Sequence, residues 1–445
     1  MRAALLALTL TATTAVAEAP ISSPRPVMRP ELTVTNVTPT VAVMASAGSL
    51  ASKRPVLRPD AAAFAPVPAK AATTAGLQDW ISTYRARALS AGISGSTFDR
   101  AFVGVRYNSD VIKRDRNQSE FTKTIWDYLD SAASDLRVKN GKAALAKHKT
   151  KLTQIERKYG VDKEVVVAIW GLESAYGTFR GSTPIIGALA TLAYDGRRGA
   201  FFEEQLTAAL KILQNGDVRV AGMTGSWAGA MGHTQFMPTS FLSYAVDFTG
   251  DGKRDIWSDD PTDALASTAA YLKNSGWIKG QPWGVEVRIP DGFDYTLANR
   301  ETLKMPSEWA QIGIRDMAGR KVPNHGNASI LLPAGAQGAA FMIFKNFDAI
   351  ETYNTADAYV IGVGHLSDRI GGASKIQSAW PRGDRALTYD ERIELQERLT
   401  KAGFDTQKID AKIGPLTINA VRDYQLARGM TPDGYASLRL LQTLR

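Results

Sequence analysis

The feature that most constrains the fold of this sequence is an apolar run that ends in an acid. From Val165 to Leu172 every residue is apolar or glycine, and Glu173 follows directly. The run is too short to span a bilayer, which takes about 20 apolar residues, so it is typical of a helix that is buried on all sides. Asp162 and Gly177 are suitable signals for the start and the end of that helix.

Glu173 is the residue that makes this pattern chemically informative. An ionised carboxylate is costly inside an apolar core unless it is paired or protonated. Burial raises the pKa of a carboxyl group, so a buried glutamic acid can serve as a general acid near neutral pH. The residues alone leave a second interpretation open, in which Glu173 reaches water or forms a structural ion pair with an arginine.

The N-terminal residues predict an exported protein. One Arg precedes an apolar run that closes on Ala-Val-Ala, the pattern of a secretory signal peptide over residues 1–17. Residues 18–75 are rich in Ala, Pro, Val, Thr and Ser and show no period, which indicates a mobile linker. The chain has no Cys, which excludes a cysteine-linked lipid anchor, disulfides and thiolate metal sites. We expect a periplasmic protein without a membrane anchor.

The net charge of +9 indicates an anionic partner. For an exported chain a cell-wall polymer is a better candidate than nucleic acid, because no compact Lys/Arg run with interleaved aromatic residues occurs. The alternative is a basic surface that only maintains solubility. The four His residues are widely spaced and form no HExxH motif, and no GxSxG motif occurs, so a zinc hydrolase or a serine hydrolase is not expected.

The remainder of the chain divides into a large and a small domain. Residues 76–380 show helical periodicity together with short strand-like segments, such as Val285–Ile289 and Ala339–Phe344. Pro and Gly interrupt the pattern at 381–388, and residues 389–445 then predict three helices. We expect an α+β protein that is predominantly α, with a small β-sheet in the large domain and a three-helix C-terminal module.

A glycine-rich segment follows the apolar helix in the sequence. From Gly222 to Ser240 it reads G-M-T-G-S-W-A-G-A-M-G-H-T-Q-F-M-P-T-S. Glycine allows a backbone to approach another backbone or a ligand closely. Two interpretations are open for this segment: a helix that packs through its small residues, and a ligand-binding segment.

An acidic segment predicts a cation site. Oxygen-bearing side chains recur at loop positions one, three, five and nine, starting from Asp247, and Gly252 is at position six, as in a calcium loop of the EF-hand kind. Position twelve is Ser258 instead of a bidentate Glu, which a longer loop could compensate. We predict a structural calcium or another hard cation, and the alternative is an acidic turn that binds nothing. The predicted ligands are Asp247, Thr249, Asp251, Lys253 and Asp263.

Four motifs, in order, resemble the soluble form of lytic murein transglycosylase B over about residues 77–380. They are V-V-A-I-W-G-L-E-S-A-Y-G at 166–177, G-S-W-A-G-A-M-G-H-T-Q-F-M-P-T-S at 225–240, D-F-T-G-D-G at 247–252 and N-F-D-A-I-E-T-Y-N at 346–354. The C-terminal module resembles a peptidoglycan-binding domain of the three-helix type. Its motifs are L-Q at 395–396, G-F-D at 403–405, I-G-P-L-T at 413–417 and A-V-R-D-Y-Q at 420–425.

The resemblance implies a lysozyme-like domain with one catalytic carboxylate, Glu173. The family cleaves the β-1,4 bond between N-acetylmuramic acid and N-acetylglucosamine without water, and the C6 hydroxyl of the sugar closes on C1 to leave a 1,6-anhydro ring. One group can act as acid and then as base because its protonation state alternates. The implied partner is the glycan strand of peptidoglycan, no cofactor is required for the chemistry, and we expect a monomer.

The resemblance also implies substrate contacts for seven further residues. Two polar side chains would hydrogen-bond the N-acetyl group or the acid, three tyrosines would line the cleft, and two arginines would contact sugar or peptide carboxylates. Core packing is the alternative for the tyrosines, and a surface ion pair is the alternative for the second arginine. The two polar residues are Ser226 and Gln235, the three tyrosines are Tyr128, Tyr271 and Tyr353, and the two arginines are Arg197 and Arg198.

Two other functions stay open on the sequence alone. A hydrolytic muramidase would share the fold and the substrate but would release free reducing ends. A non-catalytic wall-binding protein would have no use for Glu173 within its motif.

Overall fold

The structure, a computed structural model, describes residues 73–116 and 123–445. The predicted signal peptide and most of the predicted linker at 18–75 lie outside the described residues. The first helix begins at Thr74, inside the predicted linker, because the Thr73 side chain accepts the N–H of Gly76 and caps it. In the described part of the chain, no helix combines the length and the apolar character needed to cross a membrane.

Helices form most of the large domain. They are α1 (Thr74–Ser90), α2 (Gly95–Ala101), α3 (Ser109–Arg116), α4 (Ile125–Ala132), α5 (Asp135–Lys147), α6 (Lys149–Tyr159), α7 (Lys163–Ser174), α8 (Ile185–Asp195), α9 (Gly199–Asn215), α10 (Pro238–Tyr244), α11 (Thr262–Asn274), α12 (Pro306–Gln311), α13 (Lys345–Glu351) and α14 (Asp357–Ile370). They enclose two adjacent cores. One core contains Leu189 and Phe202 from α8 and α9, and the other contains Val166 and Ile169 from α7.

Two small antiparallel sheets complete this domain. The first pairs β1 (Thr183–Pro184) with β2 (Thr224–Gly225). The second has the order β4-β3-β6-β5 and consists of β3 (Gly284–Arg288), β4 (Arg315–Asp316), β5 (Ser329–Leu331) and β6 (Ala340–Ile343). Met342 of the central strand β6 pairs with Val285 of β3 on one side and with Ile330 of β5 on the other. The strands predicted at 285–289 and 339–344 correspond to β3 and β6.

The glycine-rich segment is not a helix before Pro238. It forms a short 3-10 turn, strand β2 and isolated bridges at Met231, and α10 then starts at Pro238. Gly229 and Gly232 have φ values of +94° and +69°, which a helix does not allow and which favour glycine. The helix-packing interpretation of this segment is therefore wrong, because Gly225 lies in strand β2 and Gly229 and Gly232 lie in turns.

The C-terminal module consists of three helices, as predicted. They are α15 (Tyr389–Lys401), α16 (Pro415–Ala427) and α17 (Leu438–Leu444). Two buried glutamines stabilise the two segments that connect these helices, each by accepting a backbone N–H and donating to an Asp carboxylate. Gln396 accepts the N–H of Asp410 and donates to the carboxylate of that residue. Gln425 accepts the N–H of Gly434 and donates to the carboxylate of Asp433. The predicted α+β class, predominantly helical with a small sheet and this module, is confirmed.

The second of these connecting segments rests on the four-stranded sheet region. Asp433 Oδ2 accepts the N–H of Ala336 at 2.9 Å, and the guanidinium of Arg422 donates to the carbonyl of Ala298. Gly335 has a φ of +65°, and a Cβ there would lie 2.5 Å from the Asp433 carboxylate. Glycine at 335 therefore permits the close approach of the two domains.

Candidate active site

Glu173 lies in the last turn of a helix that is buried along most of its length. In α7 the residues from Val165 to Gly171 are buried, as the apolar run predicts, whereas Glu173 is partly exposed. Asp162 precedes the helix but does not cap it with its side chain. Its carboxylate instead accepts the indole N–H of Trp277 at 2.9 Å, which anchors the start of α7 to the loop after α11.

The chain leaves α7 through three consecutive left-handed residues. The φ values of Ala175, Tyr176 and Gly177 are +48°, +60° and +87°. This conformation costs about 1–2 kcal/mol for each residue that carries a Cβ. Tyr176 is held by two hydrogen bonds, from its N–H to the Trp170 carbonyl and from its hydroxyl to the Arg137 carbonyl at 2.8 Å. The helix thus ends before Gly177, the residue predicted to stop it.

A tyrosine that sequence reasoning missed is a direct hydrogen-bond partner of Glu173. The hydroxyl of Tyr359 donates to Glu173 Oε1 at 2.7 Å, and the Tyr359 side chain is buried in the first turn of α14. Burial, with the negative charge of Glu173 as a second cause, raises the pKa of the Tyr359 phenol well above its ordinary value, so the phenol remains a donor. Tyr359 lies five residues beyond the 346–354 motif, and no periodicity in the sequence marks it.

The three predicted tyrosines differ in what they contact. Tyr353 stacks parallel to the Tyr359 ring at a centroid distance of 6.5 Å, and its hydroxyl donates to the Thr234 carbonyl in the glycine-rich segment. Tyr271 is 4% exposed and packs edge-on against Tyr353, so core packing describes it. Tyr128 and Tyr353 are partly exposed, which leaves both able to contribute surface to a cleft.

Ser226 lies where the glycine-rich segment approaches the chain that leaves α7. A Cβ on Gly181 would be 2.2 Å from the Gly225 carbonyl, so the two backbones touch there. Ser226 Oγ accepts the N–H of Ala230 at 3.0 Å, and the Ser226 N–H donates to the Ala230 carbonyl at 2.7 Å. The partly exposed Ser226 therefore stabilises its own turn, and its contact with substrate stays a prediction.

Gln235 also stabilises backbone in this structure. Its φ is +54°, and its side-chain amide donates to the Gly232 carbonyl at 2.8 Å and to the Arg180 carbonyl at 3.1 Å. The second bond ties the glycine-rich segment to the chain that follows α7. The predicted contact of Gln235 with substrate stays a prediction.

The two predicted arginines bind a buried carboxylate. Arg197 Nε lies 2.8 Å from one oxygen of Asp115, and Arg198 Nη2 lies 2.7 Å from the other. Arg198 is also 4.7 Å from the centre of the Phe202 ring. Asp115 and Arg198 are buried, whereas Arg197 keeps some exposure. Arg198 thus follows the ion-pair alternative, but the pair is buried and not on the surface.

The acidic loop brings three predicted cation ligands together. Asp247, Asp251 and Asp263 each offer a carboxylate oxygen, and these oxygens lie within 4.8 Å of one another. Burial raises the pKa of the Asp263 carboxyl, although the N–H groups of Phe248 and Thr249 donate to it. Three converging acids repel each other unless a cation lies between them, and Ca²⁺ prefers such oxygen ligands. The residues present therefore fit a hard cation.

Comparison with protein families identifies both domains. The model of the transglycosylase SLT domain matches residues 76–368, and that of a peptidoglycan binding domain matches residues 388–444. The membrane-bound lytic murein transglycosylase B of Escherichia coli is 34% identical over 240 residues, which are 52% of this chain and 63% of that protein. The chain therefore spans less than two thirds of the length of this curated relative.

Solved structures resemble the chain over a larger part. SltB3 from Pseudomonas aeruginosa, in complex with NAG-anhNAM-pentapeptide, has a TM-score of 0.81 and 50% identity, and the match covers 83% of this chain and 99% of that one. The Escherichia coli lytic transglycosylase Slt35, in complex with calcium, has a TM-score of 0.57 and 30% identity. That match covers 66% of this chain and 92% of the other.

Proposed function

This chain belongs to the transglycosylase SLT domain family, and we propose on that basis that it is a peptidoglycan lytic transglycosylase with a lysozyme-like catalytic domain. It cleaves the β-1,4 bond between N-acetylmuramic acid and N-acetylglucosamine without water and leaves 1,6-anhydro ends. The observation that carries the proposal is the partly exposed Glu173 at the end of buried α7, hydrogen-bonded to Tyr359 at 2.7 Å.

Glu173 supplies both proton transfers of this reaction. As the acid it gives a proton to the glycosidic oxygen while the bond from C1 to that oxygen breaks. As the carboxylate it then takes the proton of the C6 hydroxyl, whose oxygen forms the new bond to C1. The N-acetyl oxygen of the substrate stabilises the cationic centre in between, so a second carboxylate is not required, in contrast to most glycosidases.

Tyr359 orients the catalytic carboxyl. Its phenol donates to Glu173 Oε1 at 2.7 Å, which helps to fix the direction in which the carboxyl gives and takes the proton. The partly exposed Ser226, Tyr128 and Tyr353 are suitable sugar contacts around this centre. The complex of the 50% identical SltB3 with an anhydro-muramyl ligand supports a non-hydrolytic product.

The acidic loop holds a structural calcium in this proposal. Asp247, Asp251 and Asp263 would bind it, with the Thr249 hydroxyl and the Lys253 carbonyl as further oxygen ligands. The calcium complex of Slt35 supports this assignment. The cation stabilises the loop and takes no part in the bond-breaking chemistry.

The C-terminal module binds the wall, and the enzyme works in the periplasm. The match of residues 388–444 to a peptidoglycan binding domain supports wall binding by the module. The location of that polymer and the signal-peptide pattern at 1–17 support a periplasmic location. Hydrolytic muramidase activity remains the alternative that a product analysis decides.

Mass spectrometry of digested peptidoglycan tests the proposed function. The wild type should release 1,6-anhydro muropeptides, and Glu173→Gln should release none while still binding to sacculi. Glu164→Gln makes the same substitution in the first turn of the same helix and should remain active. Free reducing ends would show a hydrolase, and undiminished lysis by Glu173→Gln would refute the assignment of the catalytic acid.

A further inference from the structure

His233 contacts both the helix that carries Glu173 and the acidic loop. The indole N–H of Trp170 donates to His233 Nδ1 at 3.1 Å, and His233 Nε2 lies 2.7 Å from the carbonyl oxygen of Ser258. The His233 side chain is only 3% exposed. A buried imidazole with a partner at each nitrogen joins α7 to the loop segment 256–258.

These two partners define one tautomer of the ring. An indole N–H can only donate, so Nδ1 must accept; a carbonyl oxygen can only accept, so Nε2 must carry the hydrogen. Burial is the main cause that lowers the pKa of His233; the Ser258 carbonyl raises it, and the Arg180 guanidinium lowers it again. Arg180 Nη1 lies 3.3 Å from Nε2 but makes shorter hydrogen bonds to the Trp257 and Ser258 carbonyls, at 2.8 and 2.7 Å. The lowered pKa keeps the ring neutral, and the contacts of Trp170 and Ser258 place its one hydrogen on Nε2.

The backbone of His233 also joins α7 to the loop segment 256–258. Its N–H donates to the Ile256 carbonyl at 3.0 Å, and its carbonyl accepts the hydroxyl of Ser174, the residue after Glu173. The Ser174 oxygen in turn accepts the N–H of Gly177 at 2.9 Å. A Cβ on Gly177 would lie 2.6 Å from the His233 ring, so the ring packs directly on the left-handed exit of α7.

We propose that His233 is a positioning residue for Glu173. In its neutral Nε2–H form it clamps the strained end of α7 to the loop segment 256–258, and so it sets the direction in which the Glu173 carboxyl meets Tyr359. The proposal rests on the proposed function and adds to it a residue that acts through Trp170 and Ser174 and not on the substrate. Because misplacement of a catalytic group by about 1 Å can cost 100-fold in rate, such a clamp matters for catalysis.

Kinetics of Trp170→Phe test the clamp through a matched control. This change removes the N–H donor to His233 and keeps a buried aromatic ring. We expect kcat on a defined glycan to fall about tenfold with KM unchanged. Trp277→Phe removes an indole hydrogen bond at the other end of α7, the one to Asp162, and should leave kcat within about twofold. Equal losses in both variants, or a loss in KM alone, would overturn the proposal.

Nuclear magnetic resonance tests the tautomer in the intact protein without reference to activity. The chain has four His residues, so long-range ¹⁵N–¹H correlations can be assigned by comparison with His233→Asn. The ring of His233 should show the neutral Nε2–H pattern at pH 7. An Nδ1–H tautomer or a doubly protonated ring there would reject the clamp. Failure of the proposed function itself would show separately, as undiminished lysis by Glu173→Gln.

Discussion

At the scale of single residues, the hydrogen bond from Tyr359 to Glu173 has the most direct consequence for catalysis. Tyr359→Phe keeps the buried ring and removes only the donor to Oε1. We expect kcat for release of anhydro muropeptides to fall by about 10- to 100-fold, since the carboxyl loses its fixed orientation, with stability lowered by about 1 kcal/mol. Tyr424→Phe, which removes a tyrosine hydroxyl bonded to Thr443 in the module, is the control. Wild-type kcat in Tyr359→Phe would contradict this role.

Asp368 on α14 makes stability depend on pH. It accepts the indole N–H of Trp283 at 2.8 Å, and burial raises the pKa of its carboxyl to about 7. An unfolded Asp ionises near pH 3.9. The unfolded chain therefore loses this proton first, and the free energy of unfolding falls as the pH rises from about 4 to 7, by at most about 4 kcal/mol.

Asp368→Asn should remove this pH dependence. The amide oxygen can still accept from Trp283, but the side chain cannot ionise. We expect a higher Tm than wild type at pH 8 and nearly the same Tm at pH 4, measured by thermal denaturation. An equal change of Tm at both pH values would show that packing, and not ionisation, determines the effect.

The residues of the site were predictable to different degrees. Glu173 stands out because it ends an apolar run within one helix, which is local information. Tyr359 lies 186 residues away in the chain, and only the packing of α14 against α7 brings it to the acid. Arg198 shows the opposite case: its residue type indicates anion binding, but the buried Asp115 that it binds cannot be deduced from the sequence around it.

At the scale of elements, the left-handed exit of α7 is the feature most sensitive to substitution. Gly177 and Gly160 both have positive φ, +87° and +66°. A Cβ at 160 meets nothing within 4 Å, whereas one at 177 meets the His233 ring. We expect Gly160→Ala to cost about 1 kcal/mol and Gly177→Ala to cost about 2–4 kcal/mol in urea denaturation. Equal losses of stability in the two variants would mean that backbone strain, and not the contact with the His233 ring, determines the effect.

Residue patterns predicted α7 and two strands of the four-stranded sheet, but not the form of the glycine-rich segment. Apolar spacing identified α7, β3 and β6 because each buries one face or all faces. Glycine carries no side chain to report on burial, so the turns at Gly229 and Gly232 could not be distinguished from a small-residue helix. The φ values of these glycines depend on contacts with segments that are distant in the sequence, such as the close approach of Gly232 to Ile256.

At the scale of the whole molecule, the contact between the module and the sheet region holds the two domains in one arrangement. The double variant Arg422→Ala/Gly335→Ala removes the bond to the Ala298 carbonyl and places a methyl group against Asp433. We expect a larger radius of gyration in small-angle X-ray scattering, because the module is released, with unchanged kcat on a short soluble glycan.

The control for this prediction changes the same residue types away from the contact. Arg439 is exposed, and a Cβ at Gly292 meets nothing within 4 Å although its φ is +73°. Arg439→Ala/Gly292→Ala should keep the wild-type radius. If both double variants scatter alike, the contact does not hold the module in place.

The long separation between Glu173 and Tyr359 also bears on biosynthesis. A ribosome completes α7 well before α14, so a nascent chain carries the acid long before it carries the phenol that orients it. A fragment released before Asp357 would possess Glu173 and the glycine-rich segment and would still lack the Tyr359 phenol. The pair of acid and phenol on which the proposed reaction depends is therefore completed only late in synthesis.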